Sequence, residues 1–236
     1  MKKAGIIGGI GPASTLDYYS GIIDGVRAKA NDDNYPEIII NSINMTKMLS
    51  LVQNKDWDGL VEMLLTAIQN LADAGAEFAA IASNTPHIVF DQVQAKSPLP
   101  LNSIVDATCR YAQSQNYKKA VIIGTKFTMS SGLYSEAFSR YSIAAVTPFE
   151  NQQEAIYNLF FPNLENGIIV PEDKIKMLKI VNGLIMEHQA DTLVLGCTEF
   201  PLMIKDGDVD AFILNTTQIH IDAIVDVIMG RNKYEL

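Results

Sequence analysis

Short apolar runs alternate along this chain with longer stretches in which apolar residues recur every three or four positions. The first run, "AGIIG" (Ala4–Gly8), breaks into a glycine-rich turn. A helical pattern then opens on Pro12, which suits a first helical turn because it has no N–H to lose. "EIIIN" (Glu37–Asn41) reads as a buried strand from its β-branched run. "DWDGLVEMLLTAIQNLADAG" places Leu60, Met63, Leu64, Ile68 and Leu71 on one helical face and stops at Gly75. "AEFAAIASNT" (Ala76–Thr85) is a further apolar run that ends in small polar residues.

The same order returns in the second half. "KKAGIIG" at Lys2–Gly8 recurs as "KKAVIIG" at Lys118–Gly124, 116 residues on, and "AEFAAIASNT" aligns with "ADTLVLGCTE" (Ala190–Glu199), 114 residues on. Two landmarks at nearly one offset indicate a duplicated unit. "PLPLNSI" and "AFILNTT" share only "LN" and make a weaker third pair. The second unit supplies "AVIIG", "SIAAV" (Ser142–Val146) and a helix from Pro171 to Gln189. Each unit thus reads strand, helix, strand, helix, strand. That predicts an α/β fold of two pseudo-symmetric lobes, each a parallel sheet flanked by helices. The first lobe is expected to comprise residues 1–98 with 210–236, and the second 99–209. Ligands in such sheets bind beyond the carboxyl ends of the strands. An active site is therefore expected in the cleft between the lobes, where the "SNT" and "CTE" ends would bring Ser83 and Cys197 together.

Composition narrows the classes. With 236 residues, 48% hydrophobic and 19% charged, the chain has the make-up of a globular protein, and no apolar run is long enough to span a bilayer. A membrane partner is not expected. The net charge of -9 with no basic stripe argues against nucleic acid. Gly and Pro interrupt the amino terminus too soon for a signal peptide, and Cys109 and Cys197 form no disulfide framework, so a cytoplasmic protein with free thiols is expected. An anionic ligand would then be held by local donors, in the loop Gly8–Ser14 and in the turns after Ser83 and Cys197, where helix amino termini offer N–H groups.

The turn "GGIGPAST" lacks the third glycine of a dinucleotide fingerprint, and no acidic residue follows the second strand. Gly8 and Gly9 are equally well explained as a turn that lets strand and helix pack. The three histidines have no spacing that assembles a metal site with either cysteine, so neither metal nor cofactor is expected. His87 lies in the first turn after Ser83, in reach of a ligand or of the loop itself. Lys47 and Lys126 follow strand ends and are placed to meet a carboxylate. Cys197 stands out because it ends a strand, precedes Thr198 and Glu199, and matches Ser83 in the repeat. A thiolate at a helix amino terminus has a lowered pKa, which suits a proton carrier.

At these residues the chain resembles the aspartate/glutamate racemase superfamily, which also holds hydantoin racemases, maleate isomerases and arylmalonate decarboxylases. The resemblance is carried by "GIIGGIGPAST", by "NTPH" in place of Cys-Asn-Thr-x-His, and by "GTKFTM", "GCTEFPLM" and "TTQIH". It implies a cofactor-independent enzyme in which two thiols on opposite faces of a substrate remove and return the α-proton. It also implies a small anionic amino acid or dicarboxylate as substrate, and a homodimer. Cys197 and Ser83 match the catalytic positions, and Asn84, Thr85, Thr125, Thr128, Thr198 and Ser14 match positions lining the site. Two departures stand against a symmetric two-thiol racemase of acidic substrates. Ser83 replaces the first cysteine, and a hydroxyl is a far poorer base than a thiol. Glu165-Asn166 stands where dicarboxylate racemases often carry a basic residue. The expectation is an aspartate/glutamate-type racemase with Cys197 as the competent thiol. A single-cysteine decarboxylase or cis-trans isomerase is the alternative, as is a binding form that has lost or been deprived of half its proton machinery.

Overall fold

The computed structural model describes residues 1–30, 34–164 and 167–231. The chain divides into two compact units, Met1–Ala107 with Thr217–Leu236, and Thr108–Thr216. The first unit runs β1 (Ala4–Gly8), α1 (Pro12–Lys29), β2 (Ile38–Ser42), α2 (Met45–Gln53), α3 (Trp57–Asp73), β3 (Phe78–Ile81), a 3-10 helix (Thr85–Val89), α4 (Phe90–Gln94) and β4 (Leu101–Asn102). Helix α5 (Ile104–Ser114) carries the chain across the boundary. The second unit runs β5 (Lys119–Gly124), α6 (Lys126–Ser130), α7 (Leu133–Arg140), β6 (Ala144–Val146), α8 (Glu150–Phe160), α9 (Pro171–His188), β7 (Thr192–Gly196), α10 (Phe200–Met203) and β8 (Phe212–Asn215). Helix α11 (Thr216–Ile228) then returns to the first unit. No helix among the described residues is long and apolar enough to cross a membrane.

Both sheets are parallel throughout and share one strand order, β2-β1-β3-β4 and β6-β5-β7-β8. The duplication read from the sequence is therefore a duplication of topology. Each unit has four strands where three were expected. The shared "LN" marks the fourth, since Leu101–Asn102 pairs with β3 and Phe212–Asn215 with β7. Two paired residues carry too little periodicity to be read as a strand alone. These pairings also move the boundaries. They fall at 107/108 and 216/217 rather than at 98/99 and 209/210, because β4 belongs to the first sheet and β8 to the second.

β2 corrects another expectation. It is an edge strand with no fully buried residue, and Ile40 is exposed. A β-branched run fixes strand propensity but does not say how many neighbours the strand will have. The central strands β1, β3 and β7 are buried along their whole length. Helix α3 begins where Asp56 accepts the Gly59 N–H at 2.9 Å, and its chain turns away at Gly75, whose φ is +90°. Helix α9 opens on Pro171 and closes on Gln189 in the left-handed region.

In the first unit Ala4, Ile6, Phe78 and Ala80 of the sheet pack with Tyr18, Ile22 and Val26 of α1 and with Ile221, Ile224, Val225 and Ile228 of α11. Gly21 and Gly25 let α1 and α11 approach closely, since a Cβ on either would stand 2.9 Å from Ile221 or Val225. In the second unit Val121, Ile123, Leu193 and Leu195 pack against Met177, Val181 and Leu184 of α9 and against Ile156 and Phe160 of α8.

Candidate active site

Ser83 stands two residues beyond β3 and Cys197 one residue beyond β7, each at the carboxyl end of a central strand. Each unit therefore carries its own candidate turn.

In the first unit the turn is held by its carbonyls. Ile81 C=O accepts the Ser83 N–H at 2.8 Å, and Ala82 C=O accepts the Ser14 hydroxyl at 3.2 Å. Ser83 C=O accepts the Nδ1–H of His87 at 2.9 Å, and Asn84 C=O accepts the His87 backbone N–H at 3.0 Å. A carbonyl can only accept, so His87 carries its proton on Nδ1. Its Nε2 then accepts the Ile104 N–H at 3.3 Å. With both nitrogens committed, burial holds His87 at a pKa of about 4, against the weaker upward pull of the Ser83 and Asn84 carbonyls. It is a support for the loop in its neutral form. His220, on α11, is arranged in the same way. Its Nε2 donates to Asn102 C=O at 3.1 Å and its Nδ1 accepts the Tyr18 hydroxyl at 2.7 Å. Burial first, and then the neighbouring His87, lower its pKa to about 3.

Asn84 is buried, whereas Ser83 and Thr85 are half-exposed. Among the described residues none hydrogen-bonds the Ser83 hydroxyl. Ser14 is only 1% exposed and spends its hydroxyl on Ala82, so it braces the turn rather than opening toward solvent. Lys47 is exposed on α2, and its N–H is capped by Asn44 at 3.0 Å. It lines a cleft of about 520 Å³ with Asn41, Glu62, Met63 and Asn70. Ser14, Ser83, Asn84 and Thr85 do not line that cleft. In the glycine turn, Gly9 has φ +82°, a Cβ there would stand 2.5 Å from Ile43 O, and its N–H donates to Thr15 Oγ1 at 2.8 Å. Gly8 lets β1 pack on Thr15 of α1, Gly9 lets the turn approach the end of β2, and one amide counted as an anion donor is already engaged.

In the second unit Thr125 caps α6, its Oγ1 accepting the Thr128 N–H at 3.2 Å and lying 3.0 Å from Thr128 Oγ1. Thr128 is buried with its methyl pressed on the ends of β5 and β7, because a Cβ on Gly124 or Gly196 would stand 2.9 Å from it. Cys197 follows directly, 9% exposed, among Leu195, Phe200 and Met203. Its Sγ donates to Glu199 Oε2 at 2.9 Å.

This bond overturns one expectation. Burial pushes the Cys197 thiol well above its ordinary pKa, and the Glu199 carboxylate pushes the same way by its charge and by accepting the proton. The Glu199 and Thr198 amides favour the thiolate, but less strongly. The helix expected to lower the pKa is α10, only four residues long. A single turn aligns too few peptide dipoles to outweigh desolvation. Lys126 is exposed at the start of α6. The pair Glu165-Asn166 lies outside the described residues. No group of three or more His, Cys, Asp and Glu side chains among the described residues is placed to hold a metal ion. Glu199 is the functional candidate that sequence reading passed over, although its position two residues after a strand-end cysteine was visible.

Two parallel sheets of identical order, each ending in a small-polar turn and one bearing a buried thiol on a carboxylate, define a duplicated α/β fold with a candidate site at the carboxyl end of each central strand. The profile of the Asp/Glu/hydantoin racemase family matches residues 7–224, and the chain belongs to that family. It is 25% identical over 205 residues to the broad specificity amino-acid racemase RacX of Bacillus subtilis, covering 83% of this chain and 84% of that protein. A glutamate racemase of Syntrophus aciditrophicus is 35% identical over 126 residues, which is 52% of this chain and 44% of that enzyme. Among solved structures, a Yersinia pestis protein assigned as an Asp/Glu racemase superposes with a TM-score of 0.91 at 30% identity, covering 97% of this chain and all of that one. An aspartate racemase homologue from Pyrococcus horikoshii gives 0.87 at 34% identity over the same share of this chain.

Proposed function

We propose that the chain racemises a small acidic amino acid of the aspartate/glutamate class, without pyridoxal phosphate. In this reading Cys197 is the proton-handling thiol and Ser83 is a weaker second position. The observation that carries it is the 2.9 Å hydrogen bond from Cys197 Sγ to Glu199 Oε2. A neutral thiol is a poor base, and this one is held neutral at rest. Glu199 supplies the acceptor: the thiol proton passes to Oε2, leaving a thiolate steadied by the Thr198 and Glu199 amides. The sulfur then takes the α-proton of the substrate, leaving a carbanion whose charge spreads into the adjacent carboxylate. Return of a proton to the same face gives exchange, and delivery to the other face gives inversion. Ser83 offers a hydroxyl for that delivery, acting as a donor or relay rather than a base. Asn84, Thr85, Thr125 and Thr198 supply amide and hydroxyl groups near the two turns for a carboxylate on a chain that is acidic overall.

The names of the similar proteins support the substrate class: RacX is a broad specificity amino-acid racemase, and others are glutamate racemases. The test is solvent deuterium exchange followed by NMR for each enantiomer of aspartate and glutamate. One enantiomer is expected to exchange much faster than the other. Cys197→Ser should abolish exchange from both, and Ser83→Cys should raise the slower one while sparing the faster. Full activity in Cys197→Ser, or equal exchange of both enantiomers in the natural protein, overturns this reading. A one-thiol decarboxylase or cis-trans isomerase of a small dicarboxylate is the second reading, favoured by the hydroxyl at position 83. Carbon dioxide release, or cis-trans conversion without α-proton exchange, would select it.

A further inference from the structure

We propose that His87 is a positioning residue of the reaction, fixing the direction in which the Ser83 hydroxyl is presented. It does so by holding the Ser83 carbonyl with one ring nitrogen and the Ile104 amide with the other. The inference rests on the reading of Ser83 as a proton-handling position.

The geometry is a closed ring. From Ser83 C=O the path runs through the imidazole to the N–H of Ile104, the first residue of α5. From Ile104 it passes back two residues to β4, which pairs with β3 at Ala79↔Leu101 and Ala80↔Asn102. β3 leads back to Ser83. Within this ring the carbonyls of residues 81, 82, 83 and 84 all accept hydrogen bonds, two of them from His87. The imidazole cannot pivot freely, because it stacks on Phe90 with centroids 5.0 Å apart and planes within 7°. His220 stands edge-on at 6.5 Å, anchored in turn to Asn102 C=O and the Tyr18 hydroxyl. Turning the Ser83 peptide therefore requires breaking the hydrogen bond to the buried His87 ring.

The two ring nitrogens can be tested apart. The amide nitrogen of asparagine reaches about as far as Nδ1 and can keep the bond to Ser83, whereas the longer glutamine reaches the place of Nε2 and can keep the bond to Ile104. In His87→Gln, racemisation of aspartate or glutamate should fall by about 10²-fold, the cost of small misplacements of reacting groups. Deuterium exchange of the enantiomer whose proton faces Cys197 should persist, because that half-reaction does not use Ser83. The fall should lie in kcat with KM nearly unchanged, and His87→Asn should restore most of it. A purely structural role would lower exchange and racemisation together, in step with thermal stability, and that result overturns the proposal. Unchanged racemisation in His87→Gln overturns it as well. If His87→Gln does not fold, His87→Asn decides alone: near-normal racemisation supports the proposal and loss of it does not. Ser83→Ala separates the two layers. Unaltered racemisation in that variant removes the reading of Ser83 itself, whereas loss in Ser83→Ala with none in His87→Gln removes only the role of His87.

Discussion

A buried thiol beside a carboxylate is a proton store with two opposed controls. Glu199 raises the Cys197 pKa by its charge, yet it is also the atom to which the proton can go. Replacing it separates these effects. In Glu199→Gln the charge disappears while burial remains, so the thiol pKa should fall toward its ordinary range without reaching it. Racemisation should nonetheless drop, because the acceptor is gone. Thiolate absorbance against pH, read beside the racemisation rate, checks both. A variant with a lower thiol pKa and a higher rate would show that Glu199 only restrains the sulfur. The position of Cys197 was legible in the sequence because the repeat set it opposite Ser83. Its ionisation was not, because desolvation comes from Phe200, Met203 and the core behind them, which no local pattern announces.

Between strand and helix, the tightest joint lies beneath Cys197. A Cβ on Gly196 would meet the Thr128 methyl at 2.9 Å and the Ile123 carbonyl at 3.1 Å, and a backbone carbonyl cannot swing aside as a side chain can. Gly196→Ala should destabilise by roughly 1–3 kcal/mol, the usual cost of overpacking, and should lower activity because the turn bearing Cys197 must shift. Gly183→Ala on α9 is the contrasting substitution. A Cβ there meets nothing within 4 Å, and removing a glycine from a helix interior stabilises by roughly 0.5–1 kcal/mol. Urea unfolding of the two variants should therefore move in opposite directions. At this scale the long helices α3 and α9 and the central strands were readable from periodicity and caps. The fourth strands, the edge position of β2 and the short α2 were not, since pairing partners decide them.

Across the molecule, stability should weaken toward acid in a defined window. His87 and His220 are neutral when folded, with pKa values of about 4 and about 3 against 6.5 when unfolded. Below pH 6.5 the unfolded chain binds these protons and the folded chain does not, so stability falls as pH falls. Each histidine contributes a loss approaching roughly 1.4 kcal/mol per pH unit until its folded pKa is reached. Urea unfolding between pH 6.5 and 4.5 should show a stability slope that shrinks by about one proton in His220→Gln. An unchanged slope would mean that His220 is already charged in the folded protein. The contrast between the two proteins, not the raw slope, carries the result.

The duplication itself was plain in the sequence, but not where its helices go. α5 follows the last strand of the first sheet and enters the second unit, while α11 follows the last strand of the second sheet and packs on the first. Neither half of the gene therefore encodes a finished core. A fragment of residues 1–116 lacks the α11 residues that cover Tyr18, Ile22 and Val26, and a fragment of residues 117–236 lacks Thr108, whose hydroxyl meets that of Tyr134. Each should lack a cooperative unfolding transition alone, and the two expressed together should regain it by lending each other the missing helix. Independent folding of either piece would remove the idea. If complementation holds, each half has become the other's missing piece, and the chain can no longer be divided back into the two copies that its sequence still displays.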